Sequence, residues 1–210
     1  MNKFLKLFLA ISTIFNLYSD ANEDLVVAAK SNDLKAVRAA LAAGAQVDYK
    51  YLRFSALMHA ALNGYDQVVD LLLKANANPN IQDEGGYTVL SYAANRGYDQ
   101  IVDLLLKANA NPNIYDPIGQ SALTTAVDKG YDKIVDLLLK ANANPNGIPY
   151  MNPLIIAVNK GHAKIVDLLL KFGADTQLTD ISGLTARAYA RDPRIQSTLD
   201  SNKAEPNICP

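Results

Sequence analysis

Two histidines, a recurring aspartate and one cysteine are the residues of this 210-residue chain whose types invite a chemical reading. His59 and His162 lie far apart, and neither has a cysteine or a second histidine at the short spacing that a metal ion needs. Asp70, Asp103, Asp136 and Asp167 occupy one equivalent position each and form a solvated row of like carboxylates. Acid–base catalysis needs two carboxyls held in different environments, which such a row does not offer. No Gly-x-Ser-x-Gly, phosphate loop or His-Glu-x-x-His is present. Cys209 has no second cysteine, so an internal disulfide is excluded; the residue is read as incidental, with a link to another chain as the alternative. The chain is therefore read as no enzyme, with no catalytic residue, no cofactor and no metal.

The aspartates recur because the chain repeats itself. Asp70-Leu-Leu-Leu-Lys-Ala-Asn-Ala-Asn-Pro-Asn80 returns unchanged at 103–113 and 136–146, and Gly64, Gly97 and Gly130 introduce the copies at intervals of 33 residues. A fourth copy follows Gly161 after 31. A period of this length means one small unit stacked on copies of itself. The run Val68-Val69-Asp70-Leu71-Leu72-Leu73 is apolar on more than one stripe, as in a helix gripped from both sides. Lys74 then suits the helix C-terminus, and Asn76, Asn109, Asn142 or Gly173 tolerates the left-handed conformation that ends it. Asn-Pro-Asn forbids further helix and predicts an extended exit loop. Upstream, Ser55, Thr88, Ser121 and Asn152 each open a shorter apolar run as N-cap residues, which predicts a first helix.

The order of these signals resembles the ankyrin repeat: Asp83-Glu-Gly-Gly-Tyr-Thr-Val-Leu90 and Asp180-Ile-Ser-Gly-Leu-Thr185 match its opening, and Gly161-His162 and Gly173-Ala-Asp175 match the rest. The resemblance covers about residues 22 to 200. It implies an all-α fold, an ankyrin-repeat solenoid of stacked helix-turn-helix units with short β-hairpin or loop fingers. Tyr65, Tyr98 and Tyr131 replace the family's histidine, Asn76, Asn109 and Asn142 replace its glycine, and only Pro153 keeps its proline. These departures predict weaker local hydrogen bonding. Both histidines are read as structural, and His162 is expected to bridge backbone groups as the family's Gly-His turn does.

Counted in this frame, residues 22–48 are a capping first repeat, followed by repeats at 49–82, 83–115, 116–146 and 147–179. Residues 180–200 close the array, and 201–210 form a loose tail. The repeats favour one elongated domain over two compact ones. Gly147-Ile-Pro-Tyr-Met151 is two residues short, which predicts a stunted hairpin there. Ahead of the array, Met1–Lys6 is basic, Leu7–Phe15 is apolar and Ser19-Asp-Ala21 carries small residues two apart, the pattern of a secretory signal peptide at 1–21. The competing reading is an amphipathic cap on the first repeat, but Leu7–Phe15 has no charged residue on any face. Cleavage after Ala21 removes two lysines and one aspartate and takes the formal net charge from −1 to −2. Nothing basic enough to track phosphates is present, so no nucleic acid is expected as a partner.

What varies between otherwise near-identical copies is the finger tips and the ends of the first helices. In ankyrin proteins these positions line the groove that grips partners, and the resemblance carries that role onto Tyr51, Leu52, Phe54, Leu62, Asn63, Glu84, Tyr87, Asn95, Arg96, Tyr115, Ile118, Gln120, Asp128, Lys129, Tyr150 and Lys160. Tyrosine offers broad, rigid contact area at small entropic cost. Four tips about 8 to 10 Å apart span roughly 30 Å, enough for about 800 Å² of interface on this side. The expected function is a non-enzymatic, exported, monomeric scaffold that binds a protein partner through its concave groove, periplasmic or secreted and host-directed in one version, with no stable membrane span after signal cleavage. The alternative is a structural or protective subunit of a periplasmic or secreted assembly.

Overall fold

The computed structural model describes residues 20–202, so the signal-peptide reading, most of the tail and Cys209 lie outside the described residues. Two compact units divide at the Asn78–Pro79 bond, in the exit loop of the repeat read at 49–82.

In the first unit α1 (Ala21–Lys30) starts earlier than its apolar run because Asp20 caps it, accepting from the Asn22 N–H at 2.9 Å, with Glu23 and Asp24 in the first turn. A cut after Ala21 would remove that cap. Asp33 caps α2 (Leu34–Ala42) in the same way. A two-residue-per-strand hairpin, β1 (Lys50–Tyr51) and β2 (Phe54–Ser55), leads into α3 (Ala56–Asn63) and α4 (Asp66–Lys74). First helix packs on first helix and second on second, α1 with α3 and α2 with α4, closing a core of Leu25, Val37, Leu57, Met58, Val69 and Leu72.

The second unit repeats the scheme. Its first helices are α5 (Val89–Arg96), α7 (Ala122–Lys129), α9 (Pro153–Lys160) and the single-turn α11 (Ala186–Tyr189). Its second helices are α6 (Asp99–Lys107), α8 (Asp132–Lys140), α10 (Ala163–Lys171) and α12 (Pro193–Ser201). Thr88, Ser121 and Asn152 each accept from the backbone N–H three residues on, as N-caps do. Leu105 and Leu138 are fully buried between layers, and a leucine so placed costs roughly 2 to 5 kcal/mol when cut to alanine.

The asparagines that replace the family's glycine do take the left-handed conformation, with φ of 64° at Asn76 and 62° at Asn109 and Asn142. The expected extended exit loop is instead a tight turn. Asn111 Oδ1 accepts from the Asn113 N–H two residues on at 2.9 Å, so the side chain closes the turn that proline opens. The last asparagine of each motif then binds the following repeat: Asn80, Asn113 and Asn146 accept from the N–H of Asn111, Asn144 and Asp175 at 2.7 to 2.8 Å. In the first unit Asp48 does the same for Asn78.

The expectation that His162 bridges backbone groups is overturned. It makes no cap bond to α10, and its Nε2 is buried with no hydrogen-bond partner among the described residues. Its ring instead lies against the preceding repeat's Gly130, where a Cβ would come within 2.9 Å of it, and the Tyr131 ring lies against Gly97, where a Cβ would come within 3.0 Å. The ring matters here as a packing plate, so a tyrosine serves as well and no hydrogen bond is lost. On the outer face, the aspartate row is paired rather than merely solvated: Asp70, Asp103 and Asp136 hold Lys74, Lys107 and Lys140 at 2.7 Å one turn on. Between repeats Lys133 binds Asp99 and Lys164 binds Asp132, and these hydrogen bonds lower both carboxyls below their usual range.

Candidate functional site

None of the sixteen residues singled out at finger tips and first-helix ends is buried. Tyr51, Phe54, Leu62, Tyr115 and Gln120 are half-buried and the other eleven are exposed. Their settings differ from repeat to repeat.

In the first unit the finger is the β1–β2 hairpin, with Tyr51 opposite Phe54. Its two turn residues, Leu52 at φ 49° and Arg53 at φ 83°, occupy a backbone region that such hairpins require and that glycine or asparagine normally fills. Leu52 is thereby pushed out, 76 % exposed. Phe54 turns inward against His59, with ring centroids 5.4 Å apart. Burial, and secondarily the nearby Lys30, hold the His59 imidazole below its usual value. Asn63 Nδ2 donates to the His59 carbonyl at 2.8 Å and so finishes α3.

In the second unit an aspartate builds three of the fingers. Asp83 Oδ1 accepts from the Gly85 and Tyr87 N–H groups, Asp116 Oδ1 from Ile118 and Gln120, and Asp180 Oδ1 from Ser182 and Leu184. Each carboxylate locks a five-residue loop whose next-to-last residue is a glycine in the left-handed conformation, Gly86, Gly119 or Gly183. The loops lift Tyr87, Ile118 and Ile181 outward, Ile118 to 57 % exposure. The short fifth-repeat finger is reduced, as expected, to the Ile148–Met151 bridge, with Pro149 and Tyr150 in its turn. Tyr150 is 58 % exposed yet leans on the neighbouring finger, where a Cβ on Gly119 would meet its ring at 2.7 Å. At the helix ends Asp128 and Lys160 pair with each other at 2.8 Å, linking two residues assigned to partner contact.

The second oxygen of two of these aspartates is also used. The Tyr92 hydroxyl donates to Asp83 Oδ2, and the Tyr189 hydroxyl donates to Asp180 Oδ2, which lowers that carboxyl and raises that phenol. Tyr87, Asn95 and Gln120 are brought together around a cavity of about 280 Å³ whose remaining walls are Ser91, Tyr92 and Thr125. Sequence reasoning missed those three and Asp116. The signal was available in register: nine residues after the finger aspartate stand Tyr92, Thr125 and Tyr189. Another cavity, of about 550 Å³, runs along α1 and α2 and is lined chiefly by alanines, with Val27 among its walls. Among the described residues no group of three His, Cys, Asp or Glu side chains can hold a metal ion, and no helix is long and apolar enough to cross a membrane.

Stacked two-helix repeats with projecting fingers define the ankyrin class. Family models for ankyrin repeats match residues 2–83, 57–148 and 138–190, and the chain belongs to the ankyrin-repeat family, whose repeats mediate protein–protein interaction and whose fold is typically non-enzymatic. The first match begins inside the stretch read as a signal peptide. Over 81 residues the chain is 40 % identical to a human protein named mitochondrial disaggregase and 37 % identical to its bovine counterpart, covering 36 % of this chain. It spans only 12 % of the length of those relatives, so the similarity concerns the repeats alone.

Proposed function

We propose that this chain is a non-enzymatic binding protein whose finger tips and exposed first-helix ends dock a protein partner. The observation that carries this reading is that large apolar side chains, Tyr87, Ile118 and Ile181, stand exposed on loops each locked by an aspartate. Such groups are rigid before contact, so little entropy is lost on binding, and exposed apolar surface gains from burial. The test replaces Tyr87 and Ile118 together by serine and compares capture of partners from a lysate with that of the unaltered chain. Capture is expected to vanish while the melting temperature stays within a few degrees. Undiminished capture by the double variant overturns the reading.

Export of the chain belongs to the same proposal and is supported by the basic and apolar segments before Ser19-Asp-Ala21. Terminal sequencing of the chain recovered from cells is expected to start at Asn22, and an intact Met1 overturns export.

A further inference from the structure

Asp116 is 8 % exposed, and its Oδ2 is buried with no hydrogen-bond partner among the described residues. Its Oδ1 accepts from Ile118 and Gln120 at 3.0 and 2.8 Å, the same two bonds that fix Asp83 and Asp180. The carboxylate is thus held by Oδ1 as its two sisters are, and in both sisters the same pair of bonds accompanies an Oδ2 that meets the residue nine positions on. In the sisters that residue is a tyrosine whose hydroxyl satisfies the oxygen. Here it is Thr125, too short to deliver a donor to the same place, and Thr125 is a wall of the cavity of about 280 Å³. A buried carboxylate oxygen without a partner is a standing cost, and a group that supplies the missing donor recovers it.

Resting on the protein-binding reading above, we propose that this cavity is a subsite for a tyrosine side chain of the partner, its hydroxyl donating to Asp116 Oδ2. The walls fit the ring as well as the hydroxyl. Tyr87 and Tyr92 stand with ring centroids 5.9 Å apart at 39°, an aromatic flank along which a third ring stacks edge or face. Asn95, Ser91 and Gln120 add polar groups to the walls. Asp116 is not itself a wall of the cavity, so the proposal includes a turn of the half-buried Gln120 side chain that lets the hydroxyl reach the oxygen. The incoming residue completes in this repeat the contact that the chain's own tyrosine completes in two others.

The experiment titrates N-acetyl-tyrosinamide, N-acetyl-phenylalaninamide and N-acetyl-lysinamide into the full chain and follows backbone amide signals by NMR. The tyrosine probe is expected to shift Gln120 and Thr125 saturably at millimolar concentration, with the phenylalanine and lysine probes about tenfold weaker. In Thr125→Tyr the introduced phenol takes the site from within, and the expected result is a raised melting temperature and no saturable shift with any probe. The proposal is overturned by phenylalanine or lysine binding as well as tyrosine, by the absence of saturation, or by an unchanged titration in the folded Thr125→Tyr chain. The comparison of probes on the unaltered chain decides the matter even where that variant does not fold. Because no partner protein enters the titration, its failure leaves the capture experiment on Tyr87 and Ile118 standing, and loss of the capture result leaves the titration standing.

Discussion

Asn113 Oδ1 accepts the backbone N–H of Asn144 at 2.8 Å, and this one bond explains why the Asn-Pro-Asn motif is copied without change. The side chain belongs to one repeat and the amide to the next, so the bond exists only when both are stacked in register. Its Nδ2 reaches the same neighbour, donating to the Asn142 carbonyl at 2.9 Å. Residues that looked like loop punctuation are rungs between repeats.

Replacing Asn113 by alanine removes both bonds and is expected to cost about 1 to 2 kcal/mol in urea denaturation. Asn113→Asp keeps the acceptor, as Asp48 shows at the equivalent place in the first unit, and is expected to cost less than the alanine change. Equal losses in the two variants would show that the oxygen is not what binds the repeats.

Gly119 and Gly161 share a left-handed backbone, at φ 81° and 74°, but not their surroundings. A Cβ at Gly119 would lie 2.3 Å from Ile148 Cδ1 and 2.7 Å from the Tyr150 ring, while at Gly161 nothing lies within 4 Å. Alanine at 161 is expected to cost about 1 kcal/mol for the backbone alone. Alanine at 119 adds the displacement of one finger by another, and its denaturation midpoint should fall clearly below that of the first variant.

Acid should weaken the first unit through His59. Burial and Lys30 lower its folded-state value below the ordinary 6.5, so folding favours the neutral ring. The unfolded chain then binds the proton first; stability is fully present above about pH 6.5 and declines as pH falls through the folded value. Between pH 7.5 and pH 5 the Asp99–Lys133 and Asp132–Lys164 pairs stay charged, because their carboxyls titrate below the usual range. His59→Gln is expected to flatten the loss of stability across that window, measured as the urea midpoint at the two pH values. A decline of the same size in the variant would remove His59 as its cause.

The sequence alone determined the period, the two helices of each unit, their N-caps and the asparagines that end them, because each rests on bonds within a few residues of chain. Ser121 caps α7 by accepting from the Thr124 N–H three residues on, and Asn142 takes the left-handed conformation that its residue type tolerates. The exposure of Tyr87 and Ile118 was legible for a related reason: repetition itself marks what differs, and these two residues vary between copies whose second helices are nearly identical. The packing of the His162 ring on Gly130, the rungs from Asn113 to Asn144 and the unsatisfied oxygen of Asp116 were decided only by tertiary structure. Each depends on atoms from different stretches of chain meeting at distances of about 3 Å, and the stacking of one repeat on the next sets those distances.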